Sequence, residues 1–307
     1  MMQDWWQATF PRGRQSLTIT DANGYPVQIA YGEKGTGKPL FLIHGIGSWS
    51  YNWRCSVEPL SQYFRVICFD AKGYGFSEKP LQREKVGHQV IELQRIIQGL
   101  CDEPAVIVAE SLGALNALAV AQQYPHLVAQ LVVVNVPIFP TGLPNLGMWL
   151  LSQMPLEVIQ AIDHSRVSYL LAPLLREIMA TERRTLLYNP ETLTPEDVYW
   201  MTYPFVEFAG TLSKVTEELH IATQEIEYLQ VGKPSLIAKI QNHLSAIKCP
   251  TLILWGERDR WYPPSDGEKL HSRIPNSQLK IIPNCDHDAS SGATEAVNAA
   301  ILDFLPR

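Results

Sequence analysis

Cysteine is scarce and scattered in this 307-residue chain: Cys55, Cys68, Cys101, Cys249 and Cys285 form no CxxC pair. An odd, dispersed set argues against a disulfide framework or a cysteine-based metal site, and fits reduced, packed thiols of a cytoplasmic protein. Runs of basic residues are missing too. With 25 Lys and Arg against 31 Asp and Glu, a formal net charge of −6, the chain carries no electrostatic footprint for nucleic acid. No apolar segment reaches the roughly 20 residues of a spanning helix. The stretch 131–139 is too short and runs into prolines; this bears on spanning and not on peripheral attachment. Residues 1–6 lack the basic-then-apolar pattern of an export signal. Internal repeats and low-complexity tracts are absent as well. What remains is ordinary globular composition, 46% hydrophobic and 18% charged, over a length that can bury a large core.

The pattern along the chain alternates β-branched runs with helical spacing. Residues 16–20 and 26–31 read as a hairpin joined by the Asn23-Gly24 turn signal. The run 40–43 is too continuously apolar for a strand with one solvated face, and 65–69, 105–109 and 131–136 share that character. Helical spacing lies between them at 53–63, 84–100 and 112–124. Such alternation predicts right-handed βαβ units and a parallel sheet. From 138 to 247 the rhythm changes to proline-broken helical segments, and it resumes with strands at 251–255 and 278–282 and helices at 265–274 and 292–304. The reading is one α/β core, 1–137 and 248–307, interrupted by a helical domain, 138–247.

Four motifs fall at the carboxyl ends of predicted strands, where open α/β sheets bind ligands. In Ala109-Glu110-Ser111-Leu112-Gly113 a serine sits on a sharp strand-to-helix turn that pushes its hydroxyl outward. In His44-Gly45-Ile46-Gly47 a tight turn can aim the Ile46 N–H at a carbonyl oxygen, with the Leu112 N–H as second donor of an oxyanion hole. Trp255-Gly256-Glu257-Arg258-Asp259 offers acids that can orient a histidine. Asn284-Cys285-Asp286-His287-Asp288 supplies the one histidine beyond the last strand, the natural general base.

The order Ser111…Asp259…His287 resembles that of the α/β-hydrolase superfamily. Similar too is Asp70-Ala71-Lys72-Gly73-Tyr74-Gly75-Phe76-Ser77, with lysine where the family's loop has arginine. The likeness implies an α/β-hydrolase fold: a mostly parallel eight-stranded sheet with a helical cap inserted after strand 6. It also places the acid a few residues past its strand, which favours Asp259 over Glu257 and Asp266. It implies catalysis by Ser111, His287 and Asp259 with Ile46 and Leu112 amides as oxyanion donors, no cofactor, no metal, and a small hydrophobic substrate. Ester hydrolysis through an acyl-enzyme is the first expectation. Alternatives on the same scaffold are carbon–carbon bond hydrolysis of the meta-cleavage type and a slow-turnover ligand receptor; the region from Gly45 to Trp53 also looks like the pheophytinase and chlorophyll-dephytylase branch. A serine nucleophile argues against the haloalkane dehalogenase and epoxide hydrolase branches, which need a carboxylate. His44, Asp70 and Lys72 are expected to shape loops, and Asp286 and Asp288 to be solvated. Ala109 replaces the usual glycine, and Glu110 puts a carboxylate beside the nucleophile. The aromatics Trp149, Tyr188, Tyr199, Trp200, Tyr203 and Phe205 are expected mainly inside the cap.

Overall fold

Side chains branched at Cβ pack well on a pleated surface covered from both sides, so the apolar runs become the strands of a buried sheet. The computed structural model describes residues 3–306. The strands are β1 (Gln15–Thr20), β2 (Pro26–Lys34), β3 (Pro39–Ile43), β4 (Arg65–Phe69), β5 (Ala105–Glu110), β6 (Val128–Val134), β7 (Thr251–Gly256) and β8 (Ser277–Ile282). They form one eight-stranded sheet in the order β1-β2-β4-β3-β5-β6-β7-β8. β1 and β2 pair antiparallel, as do β2 and β4; every later neighbour is parallel. The expected mostly parallel eight-stranded sheet is therefore present.

Helices cover both faces: α1 (Trp5–Thr9), α2 (Arg54–Ser61), α3 (His88–Leu100) and α4 (Leu112–Gln123) come before β6. Alternate residues of each strand point to opposite sides. Leu40 and Leu42 pack with Trp6, Trp53 and Val57, whereas Phe41 and Ile43 pack with Leu93, Ile97 and Leu118 of α3 and α4. Between β6 and β7 the chain is helical: α5 (Leu146–Gln153), α6 (Leu156–His164), α7 (Val167–Leu170), α8 (Ala172–Arg184), α9 (Pro195–Glu207), α10 (Thr211–Gln230) and α11 (Leu236–Asn242). Ile237 and Ile240 of α11, with Leu244 and Ile247 after it, pack in the same cluster as α4 and the sheet. The fold closes with α12 (Pro264–His271), α13 (Ala289–Gly292) and α14 (Thr294–Phe304).

The departures from expectation are local. β6 stops at Val134 rather than 136 because Asn135 takes φ +47° and leaves the ladder. The helix expected from 84 starts at His88, after Gly87 at φ +86°. The final helix divides at Ala293, and the one expected at 53–63 is a 3₁₀ turn, Ser50–Trp53, followed by α2. Helix α1 was not expected, yet its Trp5 and Trp6 are buried against Phe10 and Trp49. Among the described residues no helix is long and apolar enough to cross a membrane.

Candidate active site

Ser111 is caught between the end of β5 and the start of α4, and the junction forces it to φ 54°, ψ −125°. Such a conformation costs a non-glycine residue of the order of 1–3 kcal/mol and persists only where the surroundings hold it. Here the Ser111 N–H donates to Val134 O (2.9 Å), and the Ser111 carbonyl accepts from Ala114 N (2.9 Å) and Leu115 N (3.1 Å). Two glycines make room. A Cβ on Gly113 would collide with His44 O, and one on Gly45 would stand 3.0 Å from Ser111 Cβ. Ala109, in place of the usual glycine, sits fully buried in β5 between Ile43 and Val133.

The hydroxyl faces a histidine from the other end of the chain. His287 Nε2 lies 3.1 Å from Ser111 Oγ, and its Nδ1 lies 2.9 Å from Asp259 Oδ2. A carboxylate only accepts, so Nδ1 carries the hydrogen and Nε2 presents its lone pair to the serine. Asp259 is fixed in turn: its Oδ1 accepts from Trp261 N (2.8 Å) and Tyr262 N (3.0 Å). Of the three candidate acids, Asp259 makes the contact with His287. Glu257 accepts from Asn284 N at 3.1 Å, and Asp266 lies in the first turn of α12. The Trp261 ring lies against the imidazole, centroids 4.5 Å apart.

Asn135, which sequence reasoning passed over, joins the strand ends. Its Oδ1 accepts from Gly256 N (2.8 Å), and its Nδ2 donates to His287 O (2.6 Å). A polar residue closing the run Leu131-Val132-Val133-Val134 was the available signal. Asp286 was expected in solvent and is instead buried, accepting from His287 N (2.9 Å) and from Arg260 Nε (2.8 Å).

Ile46 and Leu112 stand beside Ser111 on the wall of one cavity. Leu112 N–H belongs to the first turn of α4, where no intrahelical acceptor exists. The Ile46 N–H, likewise, has no acceptor among the described residues. Both amides are thus available to an oxygen placed near Ser111. His44 shapes this loop: its Nδ1 donates to Gly45 O (2.9 Å) and its Nε2 accepts from Ala71 N (3.1 Å). Burial lowers its pKa, in keeping with that neutral tautomer. Asp70 braces the adjoining loop by accepting from Ser50 N (2.9 Å) and Phe76 N (2.7 Å). Lys72 turns away from both loops, to Asp21 (2.9 Å), Glu84 (2.8 Å) and Glu92.

A family model described as the alpha/beta hydrolase fold matches residues 38–292. The chain belongs to the α/β-hydrolase family. It is 26% identical over 302 residues to a 2-hydroxy-6-oxononadienedioate/2-hydroxy-6-oxononatrienedioate hydrolase of Comamonas testosteroni, covering 94% of this chain and 95% of that one. To human epoxide hydrolase 4 it is 24% identical over 293 residues, 90% of this chain and 74% of the relative. A thermophilic esterase from Thermogutta terrifontis superposes with a TM-score of 0.68 at 23% identity, over 94% and 97% of the two chains, a likeness of fold.

In this α/β hydrolase the cavity at Ser111 measures ≈ 940 Å³, its open mouth included. Its wall is mostly apolar, with Leu115, Leu143, Met148, Leu219 and Ile226 among the lining residues, and Trp261 and Tyr262 close it beside His287. None of the six aromatics expected mainly inside the cap lines it. Trp149 and Tyr188 are exposed, and Trp200 packs on Trp49 and Tyr203. The polar part of the wall is acidic: Glu84, Glu218 and Glu225, against Lys85.

Behind the nucleophile lies a network that the sequence did not announce. Glu110 is buried and accepts from Asn52 Nδ2 (2.7 Å), Ser290 N (3.0 Å) and Ser290 Oγ (2.7 Å). Burial, then the nearby Asp288 charge, push its pKa up to about 7. Asp288, expected in solvent, is buried and pairs with Arg183 of α8 at 2.5 Å. Arg183 also donates to Asn52 Oδ1. The strand of the nucleophile, the loop after β3, the segment after His287 and the helical region between β6 and β7 thus meet at one buried point.

Proposed function

We propose that this α/β hydrolase cleaves a small-to-medium, uncharged hydrophobic ester through an acyl-enzyme on Ser111. The row Ser111–His287–Asp259, at 3.1 and 2.9 Å beside two free amides, is the observation that carries the reading. His287 Nε2 takes the Ser111 hydroxyl proton while Oγ attacks the ester carbonyl carbon. The Ile46 and Leu112 N–H groups hold the resulting oxyanion, a donor of this kind contributing about 3 kcal/mol to lowering the barrier. His287 then gives its proton to the alkoxy oxygen, the C–O bond breaks, and the alcohol departs. Water repeats the sequence: it loses a proton to His287, attacks the acyl carbon, and releases the acid with Ser111 restored. Asp259 keeps the imidazole in the useful tautomer and stabilises its charged form.

Residues 138–247 form the cap in this reading, seated on a core of 1–137 and 248–307, and they decide which substrates enter. The substrate is a small hydrophobic molecule, and five free cysteines support a reducing, cytoplasmic setting. A second reading, carbon–carbon bond hydrolysis, draws support from the name of the Comamonas testosteroni relative, whose substrate is a dioate. The described lining residues include no arginine, and Lys72 and Lys214 are already engaged by Glu84 and Glu218, so Lys85 is the one lining cation left to meet a dioate's two carboxylates, which favours the ester. The test pairs p-nitrophenyl esters of graded chain length with a meta-cleavage dienoate, on wild type and Ser111→Ala. Wild type turns over the neutral esters in preference, and the variant loses about 10⁶ in kcat. Undiminished ester hydrolysis by Ser111→Ala would remove Ser111 as the nucleophile; preference for the dienoate would replace the ester with the second reading. Tight binding of small ligands with no turnover at all would make the protein a receptor.

A further inference from the structure

The polar side chains of the Ser111 cavity are wired in one direction. Lys214 Nζ lies 2.6 Å from Glu218 Oε1, and Gln89 Nε2 donates to that same oxygen. A carboxylate accepts only, so Gln89 must present its NH₂ to Glu218, which turns Gln89 Oε1 the other way. That oxygen takes a hydrogen bond from Asn116 Nδ2 at 2.6 Å. Asn116 has then turned its NH₂ toward Gln89, using one of its two N–H bonds, and its Oδ1 has no partner among the described residues. Glu218 Oε2 has none either, and Glu218 is only 6% exposed. All three residues line the cavity. One N–H of each amide is used within the relay, and Asn116 Oδ1 and Glu218 Oε2 remain as acceptors for a ligand.

Asn116 stands five residues past Ser111, and Leu112, Leu115 and Asn116 line the cavity on one face of α4. At 1.5 Å per residue the Asn116 backbone stands roughly 7–8 Å along the helix from that of Ser111, about the span of six bonds of an extended chain.

We propose that Asn116 is a specificity-determining residue, and that the cavity prefers esters bearing a hydroxyl group about six bonds from the scissile carbonyl. The hydroxyl donates to Asn116 Oδ1, with Glu218 Oε2 as a second acceptor. A methyl end at that place leaves both acceptors dry and unpaired, and a carboxylate end faces Glu84, Glu218 and Glu225. This deepens the ester reading and rests on it.

The test uses p-nitrophenyl 6-hydroxyhexanoate, its methyl-ended counterpart p-nitrophenyl heptanoate, and the carboxylate-ended p-nitrophenyl monoester of adipic acid. A matched series carries the same three ends on the alcohol side of an acetate ester. In wild type the hydroxyl-ended ester of one series exceeds its methyl-ended partner in kcat/KM by roughly tenfold, the worth of one net hydrogen bond. The carboxylate-ended ester is the slowest. Asn116→Leu brings the hydroxyl-to-methyl ratio close to one, while Asn116→Gln, which keeps both a donor for Gln89 and an acceptor, retains it. Equal kcat/KM for hydroxyl and methyl ends in both series overturns the proposal, as does a preference that survives in Asn116→Leu. If Asn116→Leu does not fold, loss of the preference in Asn116→Gln overturns it. Binding of the uncleaved esters to Ser111→Ala separates the two readings. If wild type hydrolyses none of them, the ester function has failed, and a hydroxyl-over-methyl affinity ratio in that variant still decides for or against the acceptor pair.

Discussion

Two clusters of buried charge flank the nucleophile, and they are satisfied by opposite means. Near the cavity, Lys72 and Lys214 sit among Asp21, Glu84, Glu92 and Glu218, ammonium against carboxylate at 2.6–3.4 Å for the longer pairs. Burial works against the charge of Glu84, yet Lys214 and Lys72 outweigh it and hold its pKa low. Burial also opposes Lys72, whose pKa is nonetheless raised by Glu92 and Glu84. Behind Ser111, the direct partners of Glu110 among the described residues are Asn52 and Ser290, neutral donors, and the facing Asp288 charge raises its pKa further. The guanidinium of Arg183 is engaged by Asp288. Countercharge holds Glu84 and Lys72 in their ionised forms, while burial and the Glu84 charge push the Glu92 pKa up. Neutral hydrogen bonds leave the other cluster free to change protonation near neutral pH.

The largest effect expected of this contrast follows from removing a countercharge. Lys72→Met leaves Asp21, Glu84 and Glu92 facing one another in the interior, and a loss of about 3–5 kcal/mol in denaturant unfolding is the expected result. A loss below about 1 kcal/mol would mean that the lysines are not what holds this cluster. Next comes Glu110. Its folded pKa stands above the ordinary carboxylate value of 4.5, so the native state holds its proton longer than the unfolded chain. Stability therefore falls as pH rises from about 4.5 to about 7 and is level in this contribution above that. The drop attributable to it is about 3 kcal/mol. Glu110→Gln should flatten that interval of the stability–pH curve, and a slope unchanged in the variant would assign it elsewhere. The smallest effect is that of Arg183→Met. With the guanidinium gone, Asp288 acts on Glu110 unopposed, so the midpoint of the Glu110-dependent slope moves to higher pH and stability at neutral pH drops by about 1–2 kcal/mol. A midpoint that stays in place would separate Arg183 from the Glu110 cluster.

The sheet was legible because its strands are buried on both faces and read as unbroken apolar runs, and because their ends carry the polar residues of the site. Ser111 and His287 could be picked out by position, Asp259 over its rivals through the family resemblance, and the structure brings the three into one hydrogen-bonded row. What could not be read depends on pairings remote in sequence. Asp288 looks like any solvated aspartate until Arg183, more than 100 positions earlier, is brought against it. Lys72 carried no mark of its partners at 21, 84 and 92. Helix α1 has only five residues, too few for a periodic signal, and its tryptophans are explained by Trp49 and Phe76. The aromatics between β6 and β7 resisted assignment for a related reason: helical spacing shows that a face is apolar, not whether it meets another helix or a cavity.

The placement of α11 has a consequence for anyone wishing to strip this protein to its scaffold. β6 and β7 are adjacent and parallel, so the chain leaving Val134 must travel the length of the sheet before it can begin Thr251. Ile237, Ile240, Leu244 and Ile247 make that journey against α4. The crossover and the helices before it are thus consecutive pieces of one insertion, and only those earlier helices are dispensable in topological terms. A deletion confined to the segment before Ser235, bridged by a short flexible linker, would keep the return path and lay the Ser111 cleft open. One that ran on to 247 would take out part of the wall of the house along with its roof.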